Sequence, residues 1–400
     1  MKKIITVFGF LLVAGIISGQ QTVDYILKAR SLTEAGKPEQ AISLLNGAIG
    51  NNNDSRLYIE RAEANLLKGD YSGAISDYNE ANKLTPYSGE FGLSRLYALK
   101  GDAGTSVYHL EISMNSPFKK SEKEILLDPA FVSIDNRQEW RQFWKKEWYT
   151  ATEKSTSEIE YYISSGKTDQ AREVLSDLKK NYESNPETLY AESLVNLATG
   201  NYSEVIKVVS GLTSENPGNE KYLRILAKAQ TGSSDPVGAS TTYSLLLNSG
   251  LADAGLFMLR AECYQKTGET TKALTDINKY LEIYPENRTA LSLAGRVEAK
   301  SGDNLRALEY FSQNLKLHPN DPECYIDRAN AYFVSGSWKM AIDDYSMSLD
   351  LKPGNSDAWL NKGISLLNSG KAEDACHDFR ISFRMGNKRV TDYISRNCIK

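Results

Sequence analysis

The 400-residue chain has few histidines (three), few cysteines (four) and few prolines (11), and it has no excess of either charge, with 47 Lys and Arg against 51 Asp and Glu. Each shortage excludes something. His109, His318 and His377 are isolated from one another, and with the scattered cysteines they form no cluster at metal-ligand spacing. No Gly-x-Ser-x-Gly elbow is present. The two charge signs are mixed along the chain, without the basic face of a nucleic-acid binder. Scarce proline beside 23 tyrosines and 41% hydrophobic residues argues against disorder. After Gln21 no apolar run is long enough to span a membrane.

The one long apolar run is at the start. Met1-Lys2-Lys3 supplies positive charge, Ile4 to Ile17 is nearly all apolar, and Ser18-Gly19-Gln20 offers small residues for cleavage. As a helix that run reaches about 21 Å, short of a hydrocarbon core of about 30 Å. A cleaved signal peptide over 1–19 is therefore favoured over an anchor. No cysteine follows to carry a lipid, so the expectation is bacterial export to the periplasm, cell envelope or exterior.

Ser165 to Ala171 reads SGKTDQA, whose Gly-Lys-Thr matches the end of a phosphate-binding loop. Such a loop needs another glycine five residues before Gly166, and that position is Tyr161. It also needs a preceding strand, where this region has helical periodicity. Gly166 belongs instead to a series of turn glycines: Gly36, Gly69, Gly101, Gly166, Gly200, Gly232, Gly268, Gly302, Gly336 and Gly370, of which the last four are spaced by 34. Five residues after most of them comes a small residue, as at Ala41, Ala74, Ala171, Ala307 and Ala341. Nine after comes a large apolar one, as at Tyr78, Ile277, Phe311, Tyr345 and Phe379, and seventeen after comes proline, as at Pro86, Pro319 and Pro353.

The pattern describes two helices per unit. Glycine ends the first in a left-handed turn, the small residue lets the helices cross closely, the large one fills the gap, and proline ends the second. A single hairpin cannot bury its apolar face, so neighbours must stack. The unit resembles the 34-residue tetratricopeptide repeat. Trp359, Gly363, Gly370, Ala375 and Phe379 stand at five signature positions of that family in one repeat, and the likeness extends over most of 22–388 in about ten copies. It implies an all-α fold, a right-handed superhelical solenoid. Repeats are expected over 22–115 and 151–387, with an irregular insert over 116–150 and a capping helix over 388–400. The stretch from Gly232 to Ala239 is two residues too long and predicts a looser turn.

Four repeats place a base eight residues before the turn glycine and an aspartate eight after: Arg61 and Asp77, Arg260 and Asp276, Arg328 and Asp344, Lys362 and Asp378. In the repeat of Gly302 both are absent (Ala294, Tyr310). Lys28 and Arg224 alone have a base without its aspartate. Co-occurrence predicts a salt bridge across each hairpin, worth about 0.2–1 kcal/mol near a surface; the alternative is a solvated charged face. Cys376 and Cys398 each lie about eleven residues from the turn at Gly386-Asn387, so an antiparallel hairpin makes them level and a disulfide between them is expected. Cys263 and Cys324 lie in non-adjacent repeats and read as buried thiols.

Within the insert, Glu122 to Asp128 reads as a short helix. A second helix is expected from an Asp135 N-cap with Gln138 reaching back, carrying Trp140, Trp144 and Trp148 on one face with Phe143 beside them. Those indoles either pack against adjacent repeats or form an aromatic patch for a partner.

The family resemblance implies a concave wall at positions 13, 10, 6, 3 and 2 before each turn glycine, which commonly receives peptides or proteins. Here those positions include Ile326, Asn330, Phe333 and Val334, then Leu360, Ile364, Leu367 and Asn368, unusually apolar for a solvent-facing wall unless the cap covers them. Lys266, Arg296 and Lys300, with Glu262 near, lie along the preceding repeats. The family's carboxylate clamp is incomplete. The expectation is a non-catalytic scaffold without cofactor or metal, binding a peptide or another protein. A carrier of a lipid or glycan, and an accessory subunit of an envelope enzyme or secretion assembly, are the alternatives.

Overall fold

The computed structural model describes residue 19 and residues 21–398. The expected signal peptide lies outside those residues, save for Gly19. Among the described residues every regular element is helical, and the chain divides into two compact units that meet between Leu256 and Phe257.

The first unit opens with three hairpins: α1 (21–34) with α2 (Pro38–Ile49), α3 (Ser55–Lys68) with α4 (Tyr71–Leu84), and α5 (Glu90–Leu99) with α6 (Ala103–Met114). The insert follows with α7 (Glu122–Leu126), a 3-10 turn at Pro129–Ser133 and α8 (Gln138–Phe143). Three more hairpins complete it: α9 (Ala151–Ser164) with α10 (Thr168–Tyr182), α11 (Pro186–Ala198) with α12 (Tyr202–Glu215), and α13 (Glu220–Gly232) with α14 (Pro236–Asn248). The second unit comprises α15 (Gly255–Thr267) with α16 (Thr270–Leu281), α17 (Arg288–Ser301) with α18 (Asn304–Leu317), α19 (Pro322–Val334) with α20 (Trp338–Leu351), and α21 (Ser356–Asn368) with α22 (Ala372–Arg384). It ends in a 3-10 turn at Lys388–Val390 and α23 (Thr391–Asn397).

The turn after α3 shows how sequence makes a hairpin. Gly69 has φ 83°, a backbone that side chains disfavour, and closes α3. Asp70 then caps α4 by accepting from the Gly73 amide at 2.9 Å. Ala74 and Tyr78 are fully buried at the crossing and in the gap beside it. Each of Ala41, Ala171, Val205, Ala273, Ala307, Ala341 and Ala375, at the equivalent crossing position, is likewise fully buried.

One turn differs from the expectation. Gly232 is not a turn residue but the last residue of α13, and the left-handed residue is Ser234, with φ 61°. Gly232 is glycine for another reason: a β-carbon there would come within 2.5 Å of the Tyr202 ring. With Ser234 as the turn, Ala239 falls five residues later and is fully buried. The turns at Gly166, Gly200, Ser234, Gly268, Gly302, Gly336 and Gly370 are then each 34 residues apart, with no looser loop among them.

The insert also departs from expectation. The buried side chain of Ile134 turns the chain beneath the third hairpin, so α8 starts only at Gln138, with Arg137 and not Asp135 at its N-cap. It ends at Phe143, so Trp144 and Trp148 lie beyond any helix and the three indoles do not share a helical face. Trp140 is buried against Phe131, and Trp148 stacks on Phe143 at 4.8 Å while its Nε1–H donates to the Phe143 carbonyl at 2.8 Å. With Val107, Leu110 and Met114 of α6, Phe131, Trp140 and Phe143 form one core, against which Trp144 and Trp148 are half-buried.

Candidate protein-binding face

The four base–aspartate pairs lie across their hairpins. Arg61 reaches Asp77 at 2.5 and 3.0 Å, Arg260 reaches Asp276 at 2.7 and 2.8 Å, and Arg328 reaches Asp344 at 2.7 and 2.8 Å, each as a two-pronged contact. Lys362 makes a single contact to Asp378 at 3.2 Å. All four aspartates are buried, so this is no solvated face, and the estimate for exposed pairs does not apply. Burial pushes the Asp378 carboxyl above its usual range, opposed by Lys362.

In the second unit the apolar wall positions are mostly covered. Leu360 is buried in the end cluster with Phe379 and Val390, and Ile364 and Leu367 are half-buried against the same cluster. Ile326 and Phe333 pack against the cluster around Tyr345, and Trp338 meets the Phe333 ring edge-on at 5.5 Å. Asn330 is exposed and accepts from the Tyr345 hydroxyl at 2.6 Å. Only Val334 and Asn368 of this set are otherwise exposed. The expected apolar wall is therefore only half-exposed here, because second helices and the cap pack against it. Lys266, Arg296 and Lys300 are exposed, and Lys300 donates to the Gln265 carbonyl at 3.1 Å.

In the first unit, wall positions line a cleft. Counted back from Gly200, positions 10, 6 and 3 are Tyr190, Leu194 and Leu197 on α11; counted back from Ser234, positions 13, 10 and 6 are Lys221, Arg224 and Lys228 on α13. These six side chains line one cleft of about 320 Å³, together with Glu220 and Ile225. Tyr190 is buried at its base, Leu194 and Leu197 are half-buried against the same cluster, and Lys221 and Lys228 are exposed. The Lys221 ammonium lies 5.5 Å over the Tyr190 ring and 3.9 Å from Glu187. On the adjoining helix α9, burial pushes the Glu160 carboxyl upward, opposed by Lys221.

Arg224, which has no aspartate at the expected position, has two carboxylates elsewhere. It contacts Glu220 and Asp253, both at 2.7 Å. Asp253 belongs to the segment between α14 and α15, and that segment also meets the first two hairpins. Arg30 donates to the Ala252 carbonyl at 2.8 Å and Arg56 to the Gly250 carbonyl at 2.9 Å. Arg30 and Arg56 themselves stand at wall positions of α1 and α3, so three wall arginines converge on residues 250–253.

Of the six cleft residues the sequence pattern singled out only Arg224, as a base without its aspartate, and none as part of the wall. Placing the turn at Gly232 moves the wall of α13 two residues back, onto core positions such as Tyr222 and Leu226, both buried. The signal was present in the 34-residue step from Gly200, which lands on Ser234.

A family model described as tetratricopeptide repeat matches residues 26–89 and 292–356, and a second of the same description matches 256–287. The matched segments fall on the first helix pairs of the first unit and on three successive hairpins of the second. Those segments are tetratricopeptide repeats. Solved structures similar to it include a tetratricopeptide repeat protein from Parabacteroides merdae (20% identity, 61% of this chain and 96% of that one, TM-score 0.48). Others are a MamA fragment from Desulfovibrio magneticus (18%, 41% and 93%, TM-score 0.38) and YrrB, described as a TPR protein with an unusual peptide-binding site (17%, 47% and 97%, TM-score 0.38). At these values the register of the repeats in this chain rests on its own turns and not on theirs. Comparison with curated protein sequences returns no match. Among the described residues no group of His, Cys, Asp or Glu could hold a metal ion, and no helix is long and apolar enough to cross a membrane.

Proposed function

We propose that the protein is a non-catalytic scaffold that receives a peptide or a segment of another protein in the cleft between α11 and α13. Helical repeats of this kind generally serve protein interaction rather than catalysis. The observation that carries the reading is the cleft itself: an apolar base of Tyr190, Leu194 and Leu197 faces Lys221, Arg224 and Lys228 along one wall. An extended segment can bury apolar side chains on the first set and place polar groups against the second. Export is part of the proposal. It is supported by the lysine-led apolar N-terminus and by the disulfide between Cys376 and Cys398, a bond that persists in oxidising compartments.

Selection from a peptide-display library against the chain lacking residues 1–19 tests the cleft. Selected peptides are expected to lose at least tenfold in affinity when Leu194→Asp and Lys228→Glu are introduced together, with helicity by circular dichroism unchanged. Retained affinity in a folded double variant places the site elsewhere.

A further inference from the structure

The segment between α14 and α15 occupies wall that the repeat would otherwise present to a ligand. Its hold is specific. Arg30 and Arg56 read two main-chain carbonyls, at Ala252 and Gly250, and Arg224 reads one side-chain carboxylate, at Asp253. Residues 251–253 are non-helical, and Ala252 packs against the apolar cluster of the first two hairpins. The protein thus contains its own bound example of a segment that its wall arginines hold: Gly250-Leu251-Ala252, met through main-chain carbonyls, followed by the acid Asp253.

Arg224 also lines the open cleft, beside Lys221 and Lys228. It is the one group shared between the cleft and this internal segment. We infer that the cleft takes an extended segment with an acidic side chain among small or apolar residues, and that the incoming carboxylate competes with Asp253 for Arg224. Occupation of the cleft then releases one of the three fastenings of residues 250–253. The inference rests on the cleft being the binding face and adds the chemistry of the occupant and its competition with the chain itself. Lys228 and Lys221 are exposed at the wall beside Arg224, and Lys221, 3.9 Å from Glu187 and opposed to Glu160 on α9, is not tightly paired, so a carboxylate finds basic partners there. Arg224 is itself bound by two carboxylates, so a new one must exchange with Asp253 or Glu220 rather than meet a free guanidinium.

The test uses the full chain and Asp253→Asn. Asparagine keeps the Oδ1 acceptor that receives the Gly255 amide at 3.0 Å, so the start of α15 retains its cap while the charge is removed. The probe is the fluorescein-labelled peptide Asn-Ser-Gly-Leu-Ala-Asp-Ala-Gly, the chain's own residues 248–255, with a second peptide in which its Asp is Asn. The Asp peptide is expected to bind the Asp253→Asn chain at least tenfold more tightly than the unsubstituted chain. The Asn peptide is expected to lose that difference, and Arg224→Ala to abolish it. When the Asp peptide saturates the unsubstituted chain, amides of residues 249–254 are expected to exchange faster. Equal affinity of the two chains, equal affinity of the two peptides, or no binding to the Asp253→Asn chain overturns the inference. The display-selected peptides and Leu194→Asp report on the cleft without reference to Asp253, so that reading stands or falls separately.

Discussion

The ring of Tyr202 lies so close to Gly232 that a β-carbon on Gly232 would stand 2.5 Å from the ring edge. This contact keeps Gly232 inside α13 and passes the left-handed turn to Ser234, whose side chain makes that backbone costly. Opposite effects are expected from two small substitutions. Gly232→Ala overpacks the contact and should destabilise by about 1–3 kcal/mol. Ser234→Gly relieves the turn and should stabilise by up to ~1 kcal/mol. Urea denaturation of the two variants checks this, and a harmless Gly232→Ala would show that the ring is free to move.

That pair also explains what was legible in the sequence and what was not. Helix pairs, crossing alanines and gap-filling aromatics follow from local periodicity, and the described residues fold accordingly. Glycine has two uses, left-handed backbone and close approach, and composition does not distinguish them. At Gly232 the second use displaced the register by two residues and hid the wall of α13. Packing from distant sequence was hidden for a related reason. The cap covers Leu360 from thirty or more residues away, as with Val390, and Arg30 meets a carbonyl 222 residues away, neither of which periodicity can register. The Cys376–Cys398 bond, by contrast, spans a single hairpin with Cα atoms 5.5 Å apart, a distance that local spacing can approximate.

The cross-hairpin pairs should matter more than surface ion pairs do. Asp344 is 5% exposed and takes both prongs of Arg328. Arg328→Ala leaves that carboxylate buried without its counter-charge and is expected to cost about 3 kcal/mol. Replacing both members by leucine removes the charge as well as its partner, and most of the loss should be recovered. A double variant no more stable than Arg328→Ala would mean that the helices depend on the pair for register and not only for charge compensation.

Glu60 provides a pH signature in the first unit. Burial pushes its carboxyl above the usual range, Arg30 opposes this, and Glu63 and Glu34 add to the upward shift. The folded state therefore holds the proton more tightly than the unfolded chain. Both states are protonated below the ordinary glutamate value of about 4.3, where this contribution is fully present. It is lost as pH rises from there through the folded value. Glu60→Gln cannot ionise and lacks this loss. Relative to the unsubstituted protein, it should thus gain stability between pH 4 and pH 7 in urea titrations. A constant difference across that range would mean that Arg30 offsets burial in full.

At the other end of the chain, Tyr393 of α23 lies over Phe379, the gap-filling ring of the last hairpin, with centroids 5.2 Å apart, and Val390 is fully buried beside them. Only seven residues make up α23, too few for an isolated helix to be stable in water. Its position depends on that packing, on Arg389 and Asn387 reaching Asp357 at 3.1 and 2.9 Å, and on the disulfide. Closing a separation of 22 residues contributes roughly 3 kcal/mol through the unfolded chain. The ion pair is exposed and adds little. Reduction, or Cys376→Ser with Cys398→Ser, should therefore detach α23 well before the repeats melt and uncover Phe379 and Leu360. Hydrogen exchange with and without reductant is expected to show faster exchange over 388–398 and in α22, and no change in α1 to α14. Unchanged protection at 388–398 would assign the hold to Val390 and Tyr393 alone. Both outcomes can be read without knowing the protein's ligand, because the capped surface is the same one that covers the apolar wall positions of α21.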